Sequence, residues 1–233
     1  HRQHFKLGAM PQKKQFSVKI KIFRHHEVII FVSSMAQSRY FLTAFLFLLT
    51  GWVLVGLGFN DSISESIHHF GHRSMDDFFI HFSWLAEWLM IVVALFTAFY
   101  AHIKRGLIFG LGLGIQSILV AAIKDWINAP RPIEAKSYVM RSIPHLEIHH
   151  WQSFPSGHTA VAFFCMGWVA ITINKSTQSA VWGVLCALIA AGIGYSRIYL
   201  GQHFLFDVCA GGTIALLFLQ LSYQMTKRMG YDV

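Results

Sequence analysis

The sequence predicts an all-α, polytopic membrane protein with six transmembrane helices joined by short connections. Three observations carry that expectation. Hydrophobic residues make up 55% of the 233, charged residues only 13%, and mean hydropathy is +0.48. Soluble domains run to about 45–50% apolar and about 25% charged, so this chain is built to be solvated largely by lipid. The apolar residues also gather in runs of membrane-crossing length, and most basic residues fall outside those runs. The net charge of +8 would suit a nucleic-acid surface. Charges confined to an N-terminal arm and short connections are instead a topology signal, and no nucleic-acid partner is expected.

Taken in order, residues 1–39 form a basic arm. Residues 1–9 are set aside because Gly8-Ala9-Met10 resembles a tag remnant. Residues 16–31 mix basic and apolar side chains, which fits either a basic tail or an interfacial helix on anionic lipid. Six runs then reach or approach the ~20 apolar residues that a membrane helix needs: 40–59, 78–101, 106–123, 159–173, 180–195 and 204–223. They make 40–223 one domain, followed by a short tail, 224–233. The first run is too long for a signal-peptide core and lacks a small-x-small cleavage site, so it is expected to be retained. In the third run Gly106, Gly110 and Gly114 recur every four residues, a stripe suited to close helix packing. The fourth and fifth runs are short, so their polar ends are expected in a cavity and not in lipid. Cys165, Cys186 and Cys209 lie inside apolar runs without ligand spacing and are expected as buried free thiols.

Orientation follows from the basic residues. A cytoplasmic N-terminus gathers Lys13, Lys14, Lys19, Lys21, Arg24, Arg39, Lys104, Arg105, Lys175, Lys227 and Arg228 on the inner side. The outer side keeps Arg73, Lys124, Arg131, Lys136, Arg141 and Arg197. The positive-inside rule therefore places both termini in the cytoplasm and the outer face in the periplasm or an organelle lumen, with a bacterial inner membrane as the default.

Three clusters share one chemistry, and all fall on that outer face. His203 and Asp207 are four apart at the start of the last run, one helical turn from each other. A carboxylate there can fix the imidazole tautomer and stabilise the charge that grows when the other ring nitrogen attacks. Arg197 lies six positions before His203, and Lys124 and Arg131 come from the preceding outer connection. Arginine offers planar, bidentate contacts to phosphate and lysine a point charge. Three such cations can neutralise the equatorial oxygens of a phosphoryl group in transfer. Pro130 and Pro132 flank Arg131 and restrict the backbone that presents it. Pro155-Ser156-Gly157-His158 opens the fourth run, where free amides and the helix dipole favour anions. Ser156 can cap the helix and bind phosphate, Gly157 permits close backbone approach, and His158 is placed to protonate a leaving oxygen. Each cluster alone has a plain alternative, an ordinary helix cap or a snorkelling lysine.

Together the clusters resemble the signature of the type 2 phosphatidic acid phosphatase family. That signature has lysine, six residues and Arg-Pro, then Pro-Ser-Gly-His, then Ser-Arg, five residues, His, three residues and Asp. Here it runs Lys124 to Arg131-Pro132, Pro155 to His158, and Ser196-Arg197 to His203 and Asp207, in order and with matching spacing. The resemblance covers about residues 40–223 and implies the six-span arrangement of the family's membrane members. It implies His203 as nucleophile, Asp207 as its orienting partner and His158 as acid. Lys124, Arg131, Ser156, Gly157 and Arg197 would form the phosphate pocket. It also implies a metal-independent phosphatase without cofactor, working through a phosphohistidine on a phosphorylated membrane lipid. Undecaprenyl diphosphate is the first substrate expected, with phosphatidylglycerophosphate, phosphatidic acid and lipid A as alternatives. Phosphotransfer to another lipid is a second enzymatic reading, vanadium-dependent halide oxidation a remote third, and non-catalytic lipid binding a further class. With two histidines at their ordinary pKa of ~6.5, the reaction should be bell-shaped in pH with a mildly acidic to neutral optimum.

Other residues carry weaker signals. His145, Glu147, His149 and His150 crowd the connection before the second cluster, but metals demand a strict geometry that the spacing does not impose. Glu87 sits within the second run beside Trp84 and Trp88, where a protonated carboxyl can bond another helix. Asn60-Asp61-Ser62 and Asn174-Lys175-Ser176 match a glycosylation pattern, yet the topology puts them on opposite sides, so at least one is coincidental.

Overall fold

The structure is a computed structural model, and it describes residues 39–136, 138–173 and 179–231. The described residues belong to one compact unit, Ser38–Val233. The expectation for the arm at 16–31 lies outside them. Among the described residues there are nine helices and no strand: α1 Arg39–Gly56, α2 Asn60–His69, α3 Arg73–Glu87, α4 Leu89–Ala101, α5 Ile103–Ile127, α6 Pro132–Ala135, α7 Gly157–Ile173, α8 Ser179–Tyr199 and α9 Leu205–Arg228. The fold is all-α, as the composition predicts.

Among the described residues, five stretches are long and apolar enough to cross a bilayer: Arg39–Gly56, Arg73–Tyr100, Ile103–Ala135, Ala180–Tyr199 and Leu205–Arg228. The remaining expected run, the fourth, is α7, which has only 17 residues. Its brevity has a physical counterpart in its surroundings. α7 packs against α1, α3, α4, α5, α8 and α9, and its Ala162, Phe163, Phe164, Cys165 and Trp168 are buried on all sides. A helix that is apolar all round is a core helix. Phe109 of α5 packs against Phe164 and Trp168, with ring centroids 5.5 and 5.3 Å away. Tyr40 of α1 donates its hydroxyl to the Phe163 carbonyl at 2.5 Å. The three cysteines are free and buried, as expected.

The structure departs from the sequence reading in three places. The second run is two helices, because the backbone at Trp88 (φ −116°, ψ −54°) interrupts α3 before α4 begins. Helical bonding resumes at once, with the Val92 N–H on the Trp88 carbonyl at 3.0 Å. The Glu87 side chain lies outside the described residues. The second departure is α2, which the hydropathy runs did not reveal because it is largely polar. Asp61 in its first turn complements the helix dipole. Ile63 and Ile67, four apart, give it an apolar face that packs on Ile198, Leu205, Val208 and Cys209. The third departure concerns the glycine stripe. A Cβ at Gly106 would meet Phe99, but Gly110 and Gly114 face open space. Gly112 is closely packed as well, and a Cβ there would lie 2.9 Å from Phe164 Cζ. Of the stripe with a period of four, only Gly106 is closely packed.

Helix ends bring the polar residues to one end of the bundle. α5 stops at Asn128, which adopts a left-handed conformation (φ 44°) and gives its N–H to the Lys124 carbonyl at 2.8 Å. That leaves Lys124 in the last turn. Pro132 occupies the first turn of α6, so Arg131 is its N-cap. Ser156 precedes α7, Arg197 lies in the last turn of α8, and Asp207 lies in the first turn of α9.

Candidate active site

All eight residues expected at the site come to this one end. Lys124, Arg131, His158, Arg197, His203 and Asp207 are close enough for their charges to act on one another. Ser156 and Gly157 lie between them at the start of α7. Of the groups acting on His203, Arg197 and Arg131 are cationic and Asp207 is the carboxylate.

His203 is 1% exposed and sits in the turn between α8 and α9. Its backbone N–H and that of Gln202 both donate to the Arg197 carbonyl, at 3.2 and 2.9 Å. The Nδ1 atom of His203 is turned to Asp207, and Oδ2 stands 3.6 Å away. This is an electrostatic contact, longer than a hydrogen bond. Oδ2 is held instead by the Phe204 N–H at 2.9 Å and by the Ser153 hydroxyl at 2.6 Å. Ser153 Oγ is also 3.5 Å from His203 Nδ1. With Nδ1 facing these groups, Nε2 is the nitrogen turned away from them.

The cations donate to neutral groups, and Asp207 is the carboxylate that acts on Lys124 and Arg131. Arg131 donates from Nε to the Trp151 carbonyl at 2.9 Å and from Nη1 to Gln202 Oε1 at 2.5 Å. Lys124 Nζ donates to the Gln152 carbonyl at 2.5 Å. Arg197 is buried and donates to the Ser83 hydroxyl of α3. The partners Ser83, Gln152, Ser153 and Gln202 were missed in the sequence. Gln152, Ser153 and Gln202 abut the motifs, and that adjacency was the available signal. Ser83 is a hydroxyl inside an apolar run, and nothing in its neighbours marks it.

Ser156 is fully buried and holds the two catalytic helices together. Its N–H donates to the Asp207 carbonyl at 3.0 Å, and its hydroxyl accepts from Thr159 Oγ1 at 2.8 Å. Gly157 is not required by packing, because a Cβ there would meet only Lys124 Cε at 3.8 Å and Val120 Cγ1 at 3.9 Å. The glycine thus keeps open the space beside Lys124. His158 follows, half-buried.

α2 braces this end from behind. Asn60 Oδ1 accepts the Phe206 N–H at 2.9 Å and Ser64 Oγ accepts the Leu205 N–H at 3.0 Å, so two first-turn amides of α9 are capped by another helix. His68 Nε2 accepts the Arg141 N–H at 2.8 Å, which leaves Nδ1 to donate to the Tyr199 carbonyl at 2.9 Å. Arg141 pairs bidentately with Asp76 at 3.0 and 2.9 Å. In the loop crowded with histidines, His150 pairs with Glu134 at 3.0 Å and His149 approaches Glu147 at 3.9 Å. Among the described residues no three His, Cys, Asp or Glu side chains form a metal-holding group.

Burial sets the proton affinity of His203. With no water to solvate an imidazolium, its pKa is pulled from 6.5 to about 3. Asp207 opposes the shift, and Arg197 and Arg131 reinforce it. The imidazole is therefore neutral across the physiological range.

A buried neutral imidazole beside a carboxylate, with Arg197 and Arg131 acting on it and Lys124 close to both arginines, can accept a phosphoryl group. Comparisons with known proteins identify relatives. A model of the PAP2 superfamily matches residues 105–231, just over half of the chain. Phosphatidylglycerophosphatase B of Bacillus subtilis is 30% identical over 134 residues, which are 55% of this chain and 62% of that protein. Lipid A 4'-phosphatase of Porphyromonas gingivalis is 26% identical over 167 residues, 66% of this chain and 67% of that one. Among solved structures, LpxE of Aquifex aeolicus superposes with a TM-score of 0.57 at 29% identity, covering 71% of this chain and 94% of its own. A PAP2-type phosphatidylglycerolphosphate phosphatase from Bacillus subtilis gives 0.61 at 23% identity, covering 80% and 96%, and shares the fold.

Proposed function

The chain belongs to the PAP2 superfamily, and from that premise we propose that it is a multi-pass membrane phosphatase removing a terminal phosphate from a phosphorylated lipid. The observation that carries this reading is the gathering of Arg131 and Arg197 about the neutral, buried His203, with Lys124 close to both arginines and Asp207 as the carboxylate. Such a site is complementary to a group with several negative oxygens and one electrophilic centre.

The reaction runs in two displacements. His203 Nε2 attacks phosphorus, the bond from phosphorus to the leaving oxygen breaks, and its electron pair goes to that oxygen. Burial and the neighbouring cations pull the His158 pKa down to about 2, so it takes up its proton only against the anionic phosphate; it then gives that proton to the leaving oxygen, and the phosphoryl group rests on Nε2. Water then attacks the phosphohistidine, His158 takes back a proton from the water, and phosphate departs with Nε2 regenerated. Lys124, Arg131 and Arg197 neutralise the equatorial oxygens throughout, with the amides at the start of α7. No step needs a metal.

The relatives' own names give phosphatidylglycerophosphate and lipid A as candidate substrates, and undecaprenyl diphosphate presents a comparable terminal phosphate. The outer-face reading rests on charge. Lys104 lies over the Tyr231 ring at 5.1 Å, so the α4–α5 junction and the end of α9 share the end that also carries Lys227 and Arg228. That end is the basic, cytoplasmic one, and the site is at the other.

The test is phosphate release by detergent-purified protein in EDTA from each of these lipids and from phosphatidic acid, beside His203→Ala. Release from at least one lipid, abolished in the variant, is expected. Release that survives His203→Ala overturns the mechanism, and no release from any lipid overturns the hydrolase reading.

A further inference from the structure

His203 Nδ1 and Asp207 Oδ2 are both buried and stand 3.6 Å apart. A buried N–H must find an acceptor. Nδ1 faces Asp207 Oδ2 and Ser153 Oγ at almost the same distance, 3.6 and 3.5 Å, and the Ser153 hydroxyl gives its own proton to Oδ2 at 2.6 Å. The latter distance is that of a charge-assisted O–H···O⁻ bond. Oδ2 also takes the Phe204 N–H at 2.9 Å, so that oxygen is already well supplied with donors.

We infer that Ser153 is a positioning residue of the reaction, a hydroxyl beside the His203–Asp207 pair that holds the carboxylate against the imidazole. Its place is fixed independently of both partners. The Ser153 N–H donates to the Ala129 carbonyl at 2.9 Å, in the connection between α5 and α6. The three preceding carbonyls hold the phosphate-binding cations: His150 accepts the Arg131 N–H, Trp151 accepts Arg131 Nε, and Gln152 accepts Lys124 Nζ. Residues 150–153 thus tie the cations and the nucleophile's support to one short strap.

The consequence for the chemistry follows from where charge develops. As the bond from Nε2 to phosphorus forms, the imidazole becomes cationic and its Nδ1–H a stronger donor. Nδ1–H then tightens on both oxygens, and the hydroxyl bond to Oδ2 keeps the carboxylate's negative charge against the new positive one. No proton needs to leave either residue. Ser153 also fixes which nitrogen carries hydrogen, because its own proton is committed to Asp207 and its oxygen is left as an acceptor.

The inference rests on the phosphohistidine reading, and the experiment separates the two. The lipid that the panel identifies is turned over by Ser153→Ala, Asp207→Asn, the double variant and His203→Ala, each checked by thermal unfolding in detergent. Ser153→Cys, which fills the same space with a weak donor, is measured alongside. Ser153→Ala and Ser153→Cys should each lower kcat roughly tenfold, the scale of one hydrogen bond to a charged group, with KM little changed. In the Asp207→Asn background the serine change should add almost nothing, because the hydroxyl acts through the carboxylate. Wild-type turnover in folded Ser153→Ala, or full additivity with Asp207→Asn, overturns the inference while His203→Ala stays inactive. Activity in His203→Ala instead overturns the phosphohistidine reading beneath it.

Discussion

His203 has almost no contact with water, and its chemistry follows from that isolation. The nucleophile works neutral, so protonation disables it as pH falls through its pKa. At an ordinary value of about 6.5, roughly thirtyfold of its neutral form would be lost by pH 5. Pulled to about 3 by burial, it keeps its neutral form to well below pH 5. kcat/KM should therefore fall less than about threefold between pH 7 and pH 5. A loss of tenfold or more, centred near 6.5, would show that His203 titrates as if solvated. The same shift links to folding. The unfolded chain binds a proton here below about 6.5 and the folded chain does not until about 3, so stability declines as pH drops through that window. The near-neutral optimum expected from two ordinary histidines is thus displaced on its acid side by a burial that sequence cannot measure.

Helix contacts set the geometry at the next scale, and Gly211 is the sharpest instance. A Cβ at Gly211 of α9 would lie 2.3 Å from the Ser156 carbonyl oxygen, a backbone atom that cannot swing aside. Gly211→Ala must push α9 from the start of α7 and strain the Ser156–Asp207 backbone bond. Overpacking of this kind costs about 1–3 kcal/mol, and thermal unfolding with parallel turnover should show loss of both stability and activity. Gly110→Ala, which meets nothing within 4 Å, should be neutral or stabilising by up to about 1 kcal/mol. A tolerated Gly211→Ala would mean that this contact does not hold the site together. The comparison also marks what a sequence can and cannot reveal. The catalytic motifs were legible because His203, Asp207 and the three cations are polar residues in an apolar chain. The spans were legible because lipid imposes length. α2 was not, since its helix is stabilised by two isoleucines and by partners distant in sequence, Tyr199, Arg141 and the amides of α9. Asn60 looked like a modification signal and is a cap for α9. Contacts of that kind exist only once the chain is folded.

For the molecule as a whole, the decisive variable is which end faces the cytoplasm. α5 has 25 residues, about 37 Å at 1.5 Å each, and exceeds the ~30 Å hydrocarbon layer. Residues at its two ends therefore lie on opposite sides. Ile103, at its start, is 63% exposed and adjoins Lys104. Val139, beyond its far end, is 80% exposed on the side of Lys124 and Arg131. The native cysteines are all buried, so a single introduced cysteine can be read against a low background. In intact bacterial cells a membrane-impermeant maleimide should label Val139→Cys and spare Ile103→Cys until the membrane is opened. The reverse pattern would place the site in the cytoplasm and remove the outer-leaflet lipids from the substrate panel. The positive-inside rule favours the first outcome because the two ends differ in what their cations do. At the Ile103 end, Lys104 and Lys227 lie over the rings of Tyr231 and Tyr223, well placed for an anionic inner surface. At the Val139 end, Lys124, Arg131 and Arg197 turn inward to the site. Cations committed to a ligand contribute least to orientation, so topology and catalysis divide the positive charge between them.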